Sequence, residues 1–555
     1  MLAVIVLLPA FIYGLFLIPY VQTQLAHIVV KELSVELNAE ISIEKARIRP
    51  FSRISLYNIL IKDEKGDSLF YVAKVDAFID SLRIRDKRMH FNKIELHSPA
   101  VNIQKRDTLF NFSFLLKSLK KPRKDSVNIW DISVEGVKVV DATLLYSAED
   151  SVGTESEGLN KMAISNFNMS VDSILNKEDS ISINLSNLSL RLGNGFELQK
   201  MAGGFVYSKG VIELKDFFLK SDNSKISIDS LRVGVKGMKD FENYSKTSPL
   251  FLKVENSKLS IKDVKYFLPD FNAFSQNIRF SGLIKGEIAN LKGDNINLAI
   301  GKNSKLNFNF SIDGLPHIME SFLYMRIKSL TTDVDDLEKI LSYSGKKALV
   351  LPKTFSRLGT IKYRGNLTGF LSDLVAFGGF ETNLGTIKTD LGLKIEEDSK
   401  QIFYGGYVST QQFNIGELFG YEKVMGDITM DMTIKGSRNS EEHFLVFLEG
   451  NVDSLNFNKY SYKNIYLNGF LANQHFNGNV YLEDPNGVLD FSGVIDMSKD
   501  VPEFDFNASI NKIKLDKFNF LTSIPDNELS LKVETKIQGN SIGDIVGFIR
   551  IDDVS

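Results

Sequence analysis

Apolar and polar residues alternate through most of this chain. A period of two is what a β-strand with one wet side and one apolar side requires. In Asp427-Ile-Thr-Met-Asp-Met-Thr-Ile-Lys435, Ile428, Met430, Met432 and Ile434 share a face, while Asp427, Thr429, Asp431 and Thr433 take the other. The same rule groups Leu306, Phe308, Phe310 and Ile312, then Ile181, Ile183 and Leu185, and nearer the start Ile41 with Ile43 and Ile54 with Leu56. At 555 residues the chain exceeds one ordinary compact domain unless it is built by repetition. If half of it forms strands of about eight residues, about 30 strands follow.

The architecture expected is mainly β: an amino-terminal transmembrane helix, then an elongated, repetitive β groove with an apolar interior and a few short helices. The helix candidates are Phe110 to Leu119, Ile261 to Phe267, Val334 to Tyr343 and Ile415 to Phe419. Ile94 to Ile103 reads as two strands broken at Pro99, and Val127 to Tyr146 as two more. One degenerate repeat is visible. FSGLIKGEIANL begins at Phe280 and YRGNLTGFLSDL at Tyr363, 83 residues later, so that Gly282 matches Gly365 and Gly286 matches Gly369. Glycine in such strands suits bends and bulges.

Leu2 to Tyr20 is an uncharged apolar run, close to the roughly 20 residues that span a bilayer core. The anchor would be carried by Leu2, Val4, Ile5, Leu7, Leu8, Phe11, Ile12, Leu15, Phe16, Leu17 and Ile18. No basic n-region or small-residue cleavage site marks it as a removable leader, so an uncleaved signal-anchor over residues 1–21 is the expectation. The first basic residue is Lys31, beyond the run, which suggests that a basic start upstream of Met1 is missing. In the helical extension, residues 22–38, Leu25, Val29, Leu33 and Leu37 recur in steps of four, interrupted by Glu32 and Glu36. That face is expected to pack on the first strands.

Chemistry finds little to stand on. There is no cysteine, which removes disulfides, zinc-thiolate sites and thiol nucleophiles. Net charge is -3, without a global basic field for nucleic acid. Lys117 to Lys124 is a local basic patch, either a solvated linker or a site for anionic headgroups. His27, His90, His97, His317, His443 and His475 are scattered singly, without metal spacing. Gly539-Asn-Ser-Ile-Gly543 matches G-x-S-x-G, but its flanks alternate as strands, where a nucleophile elbow needs a strand before and a helix after. Gly193-Asn-Gly195 lacks the third glycine of a dinucleotide fingerprint. Asp333, Asp335 and Asp336 open a helix candidate, where they complement its dipole; Ca²⁺ is the lesser reading. The expectation is a non-enzymatic protein with no catalytic residue, metal or cofactor.

Ile41 to Leu116 carries a set of motifs: I-x-L-x-x-I-x-I-x-D from Ile54 to Asp63, the turn Gly66-Asp-Ser-Leu69, Lys74-Val75, I-x-L-x-x-P-x-V from Ile94 to Val101, and the Asn/Phe segment Asn111 to Leu116. With Phe51 and the apolar start, this resembles the beginning of the AsmA/TamB-like family. The resemblance covers residues 39–120 specifically and 121–555 diffusely. It implies a single-pass inner-membrane protein of a diderm bacterium, with its bulk in the periplasm. It implies phospholipid as transported ligand, carried along a hydrophobic β groove from inner to outer membrane. An outer-membrane barrel partner would be met through a carboxyl-terminal domain, and the expectation is that this chain is an amino-terminal fragment without it. Two alternatives stand beside it: a scaffold in outer-membrane protein assembly or secretion, whose strand edges pair with clients, and a structural β-solenoid with a packed core. Alternation by itself favours the packed core; the resemblance favours the groove.

Overall fold

The computed structural model describes residues 14, 17–49, 52–106, 109–119, 131–149, 161–177, 179–234, 249–268, 277–315, 317–341, 353–370, 372–395, 402–438, 444–472, 474–519, 528–540 and 544–555. It divides into two units: Met1–Asn243 with Leu250–Ser275, and Tyr244–Pro249 with Gln276–Ser555.

In the first unit, helix α1 (Pro19–Leu37) precedes β1 (Glu40–Ser42), β2 (Lys45–Arg49), β3 (Arg53–Lys62), β4 (Ser68–Arg83), β5 (Arg88–Arg106) and β6 (Leu109–Phe110). After α2 (Ser113–Leu119) come β7 (Asp131–Glu149), β8 (Lys161–Lys177), β9 (Ser180–Leu192), β10 (Glu197–Ser208), β11 (Val211–Ser221), β12 (Lys225–Gly234), β13 (Pro249–Ser260) and α3 (Ile261–Val264). Neighbours are antiparallel except β7, which runs parallel to β5 after a crossover that contains α2.

The second unit is a meander of sixteen strands, each antiparallel to the next. It begins with β14 (Asn277–Glu287), β15 (Asn290–Ile300), β16 (Ser304–Asp313) and β17 (Phe322–Thr332), followed by α4 (Val334–Leu341). Then come β18 (Ile361–Phe370), β19 (Asp373–Thr382), β20 (Gly385–Ile395), β21 (Ile402–Asn414) and α5 (Ile415–Phe419). The remainder is β22 (Met425–Arg438), β23 (Phe444–Phe457), β24 (Tyr460–Ala472), β25 (His475–Asp484), β26 (Gly487–Asp496), β27 (Glu503–Ile513), β28 (Leu529–Gln538) and β29 (Val546–Asp552).

Twenty-nine strands among the described residues agree with the number expected, but many are longer than eight residues. β5 is one strand of 19 residues rather than a pair, and β7 is likewise continuous. Bulges make this possible. Asn58, Ser98, Asp141, Asn166, Asp216, Asn295, Gln412 and Lys512 all have positive φ near 50° within or beside strands. At Asp141, Asn166, Asp216, Asn295, Gln412 and Lys512 the ladder shifts by one residue, so an apolar pair spaced i, i+3 stays on one face. Leu214 and Phe217 bracket Asp216 and pair with Leu231 and Ile228. Ile510 and Ile513 bracket Lys512 and pair with Leu531 and Leu529. Pro99 follows Ser98, whose positive φ interrupts the regular strand, and β5 continues through it in one register with β4.

A second device recurs. After a hairpin turn the chain makes two strands and then a short cap that folds back onto that turn. Asp263 of α3 bonds to the turn at Ser221–Ser224, and Asp336 of α4 to Asn303 and Ser304. Asn414 N, at the start of α5, donates to Leu384 O at 2.7 Å, and Lys514 N, opening the turn 514–519, donates to Asn486 O at 2.9 Å. Phe114 of α2 is buried with Leu69, beside the turn that joins β3 to β4. The helix candidates at 261, 334 and 415 are therefore equivalent parts of one repeat.

The amino terminus corrects the expectation of a membrane-spanning anchor. Among the described residues no helix is long and apolar enough to cross a membrane. α1 has 19 residues, but Gln22, Gln24, His27, Lys31, Glu32 and Glu36 interrupt it. The expected single-pass inner-membrane placement loses its structural basis with the helix. Of the residues assigned to the anchor, Leu2, Val4, Ile5, Leu7, Leu8, Phe11, Ile12, Leu15 and Phe16 lie outside the described residues, while Leu17 and Ile18 are exposed.

The packing face of α1 is also reversed along most of its length; of the four residues expected to pack, Leu37 alone does so, half-buried against Ala39, Leu69 and Phe114. Leu25, Val29 and Leu33 are exposed, and the polar side chains meet the sheet. Gln22 bonds both backbone groups of Ile48, Nε2 donating to O at 2.7 Å and Oε1 accepting from N at 3.0 Å. Thr23 does the same at Ala46, and Ser34 at Ile41. These side chains take the place of a neighbouring strand along the free edge of β1 and β2, which satisfies backbone groups that would otherwise invite another chain.

Candidate functional site

Cross-strand register gathers the apolar residues of the second unit onto one side. From β16 to β20 one row reads Phe310, Met325, Leu367, Ala376, Leu391. From β24 to β28 another reads Ile465, Leu482, Leu489, Ile510, Leu531. The opposite side carries Asn309, Arg326, Asn366 and, farther on, Asn479, Ser492, Asn507 and Glu534. The first unit is sorted in the same way: Val75, Leu96, Val139 and Met169 share one side of β4, β5, β7 and β8.

The apolar side is mostly uncovered. Only 24 hydrophobic residues are buried among those described, and the clusters they form lie at the caps. Leu384, Phe413, Ile428 and Val452 pack with Leu418 of α5; Ala39 and Leu69 with Phe114 of α2; Leu482 and Ile513 with Phe518 of the turn 514–519. Elsewhere the face is half-buried, shielded by neighbours within the sheet but by no second layer among the described residues.

The residues grouped by alternation fall as follows. Ile41 is half-buried opposite Ile61, and Ile43 is buried between β1 and β2. Ile54 and Leu56 sit opposite Ala77 and Val75. Ile183 and Leu185 are half-buried opposite Phe205 and Gly203, and Ile181 is exposed. Leu306, Phe308, Phe310 and Ile312 are half-buried opposite Leu330, Ile327, Met325 and Leu323. Ile428 and Met432 are buried, at 7% and 4% exposure, whereas Met430 and Ile434 remain half-buried.

One concavity stands out on this side. A cavity of about 420 Å³ lies under the turn 514–519, between the row Ile465, Leu482, Leu489, Ile510 and the covering side chains Leu515 and Phe518. Phe518 is 2% exposed, stacked on Tyr462 with ring centroids 5.1 Å apart and edge-on to Tyr460 at 4.8 Å. The Tyr460 hydroxyl turns away to Asp484 and Asn486; burial first, then the carboxylate, pushes it up to about 12. Leu515 and Phe518 escaped the alternation rule because they belong to a turn. Their signal is positional, since Ile513-Lys-Leu-Asp-Lys-Phe518 stands where the other caps stand.

Among the described residues, the polar side of the first unit holds one set of metal-ligand type. Atoms of Asp76, Glu95 and His97 come within 4.8 Å of one another. Lys74 Nζ lies 2.6 Å from Asp76, Arg53 3.8 Å, and Lys93 2.9 Å from Glu95. Burial pushes the Asp76 carboxyl up, but hydrogen bonds from Lys74 and Ser55 and the Lys74 and Arg53 charges outweigh it and hold it below its ordinary value. Three cations already neutralise the two carboxylates, so the cluster reads as an ion-pair lattice. Lys117 lies in α2, and the rest of the basic patch from residue 120 falls outside the described residues. Asp333 and Asp336 are engaged with Asn303 and Ser304, and the G-x-S-x-G match sits between β28 and β29, with residues 541–543 outside the described set.

No protein-family model matches this chain, and no curated protein or solved structure matches it. The open, mixed β architecture is consistent with a groove of the AsmA/TamB-like kind.

Proposed function

We propose that the apolar side of these sheets binds the acyl chains of phospholipid, and that the protein moves phospholipid between two membranes without catalysis. The observation that carries this reading is the uncovered apolar face from β14 to β29, continuous in register and capped only at intervals. Exposed apolar surface on that scale marks an interaction site in a soluble environment. Sixteen strands at about 4.8 Å spacing make a track on the order of 70 Å along the second unit. Each buried CH₂ contributes about 0.8 kcal/mol, so an acyl chain is held firmly while shifting by one methylene changes little. Membership of the AsmA/TamB-like family, with transport from inner to outer membrane of a diderm cell, is the finer form of the reading. It rests on the motifs between Ile54 and Leu116.

The test is direct. The full chain, purified under gentle extraction, is expected to carry phospholipid detectable by mass spectrometry and to accelerate transfer of a labelled phospholipid from donor to acceptor vesicles. Lipid-free protein with no transfer would sink the proposal, and cross-links to a β-barrel protein in the same preparation would move the reading to an assembly scaffold.

A further inference from the structure

We propose that the cavity beneath the turn 514–519 is a fixed seat for one acyl chain, with Phe518 as its lid. This rests on the acyl-binding reading above and adds to it a place where a chain is retained rather than passed along.

Size, chemistry and shape point the same way. About 420 Å³ falls within the range of small-ligand sites. Eleven of the twelve lining side chains are hydrocarbon in character. The remaining one is Tyr462, whose hydroxyl is shut off from solvent and makes no hydrogen bond. A water needs two to four polar partners, and the side chains of this lining offer it one hydroxyl at most, so an apolar occupant displaces nothing that is well held. The row Ile465, Leu482, Leu489, Ile510 crosses four adjacent strands, about 14 Å at 4.8 Å per step. The cavity is therefore extended across the strands, in line with the rest of the apolar face, and Leu455 and Phe457 of β23 carry its lining one strand farther.

The cover separates this place from the track. Over β16 to β19 the face is half-buried and open, so that a chain there has protein on one side. Under the turn it would have sheet below and Leu515 and Phe518 above. Phe518 is held by two tyrosine rings, and the turn is fixed by Lys514 N donating to Asn486 O and by paired bonds between Asn458 and Asn519 at 3.2 and 2.9 Å. Opening the seat means lifting one short turn, not unfolding a strand.

The experiment uses the full chain with two photoactivatable probes, a free fatty acid and a phosphatidylcholine in vesicles, followed by peptide mapping. The expected result is label concentrated on peptides from 455–465, 480–489 and 510–518. It should fall about tenfold or more in Val480→Phe and Ile510→Phe, which fill the cavity, and persist in Arg326→Lys, on the polar side of β17. Val480→Ile, a smaller filling that the fold tolerates, should give a partial loss. Label with the fatty acid alone identifies a single-chain occupant; label with both probes identifies either source. Label spread evenly over β14 to β29 and unchanged in the filling variants overturns the seat while leaving acyl binding standing. No label anywhere overturns both.

Discussion

Ser224 Oγ donates to the Asp263 carboxylate at 2.6 Å, although 39 residues separate them in the chain. The same carboxylate accepts from Ser221 Oγ and, at 2.8 Å, from Asn223 Nδ2. Asp336 repeats the relationship in the second unit, its Oδ2 accepting from the backbone N of Asn303 at 2.9 Å and of Ser304 at 3.1 Å. In both places an acidic residue on a short helix holds a hairpin turn two strands back. These bonds tie each short helix to a turn at the end of the meander and leave the apolar face between caps free.

The Asp263 clamp should be acid-sensitive. Burial raises its carboxyl, but the bonds from Ser221, Ser224 and Asn223 outweigh that and hold it below its ordinary value of 3.8. A depressed folded-state value means the stabilisation is complete above the unfolded value and is lost as pH falls through the folded one. Hydrogen exchange at residues 221–224 and 261–265, taken relative to the intrinsic rate at each pH, should therefore be protected at pH 6 and lose that protection below about pH 4. Asp263→Asn should remove about 2 kcal/mol of that protection at pH 6 and flatten the dependence. An unchanged acid response in the variant would rule the clamp out.

Gly369 has φ +131°, and a Cβ built there would sit 2.2 Å from Asp373 O. Gly286, 83 residues earlier, has φ +127° and would meet Asn290 O at the same 2.2 Å. The repeat seen in the letters is thus a repeat of one tight hairpin approach. Gly369→Ala should destabilise the β18–β19 hairpin by about 2 kcal/mol, because the backbone is strained and the carbonyl must move. Gly379→Ala, whose Cβ meets nothing nearer than 3.8 Å and whose φ is not positive, should stay within about 0.5 kcal/mol. Equal effects in the two variants would refute the steric argument.

Alternation was legible in the sequence wherever a strand is regular. Leu306 to Ile312 share a side because nothing breaks their period. It failed at bulges, since Asp216 or Lys512 shifts the face by one residue and looks like an error in the pattern until the left-handed φ is known. It failed too at α1, where Gln22 and Thr23 serve as a substitute strand and leave Leu25 and Val29 outside. A helical stripe of leucines says that a face is apolar, not that the protein covers it. The caps at 261, 334 and 415 were legible as helices, but their common duty depends on contacts with turns some 30 to 40 residues earlier, which no local pattern encodes.

Among the described residues two hydroxyls are buried without partners, on Tyr462 and Thr389. Each was taken from water for no hydrogen bond, a cost of about 1–3 kcal/mol. Tyr462→Phe keeps the ring stacked on Phe518, and Thr389→Val keeps the shape between Gly378 and Val408. Both should raise the midpoint of thermal unfolding, each by the equivalent of about 1 kcal/mol. A lowered midpoint in Tyr462→Phe would mean that the phenol has a partner in solution.

The sharpest contrast is between two residues of the same apolar side. Phe308 is half-buried, between Ile296 and Ile327 on the adjoining strands and with the ring of Phe310 6.0 Å away. Met432 is 4% exposed, between Val408 and Gly450 on the adjoining strands. A carboxylate in place of Phe308 can reach water across the uncovered face, so Phe308→Asp should fold, with hydrogen exchange in β15 to β17 close to that of the parent. Lipid carried along that stretch should fall, because a charge now lies in the path of the acyl chain. Met432→Asp has no such escape; the cost of several kcal/mol should open β21 to β23 to exchange. A packed core at both positions predicts unfolding in both variants. If Phe308→Asp unfolds as Met432→Asp does, the face is not open and the groove reading falls with it.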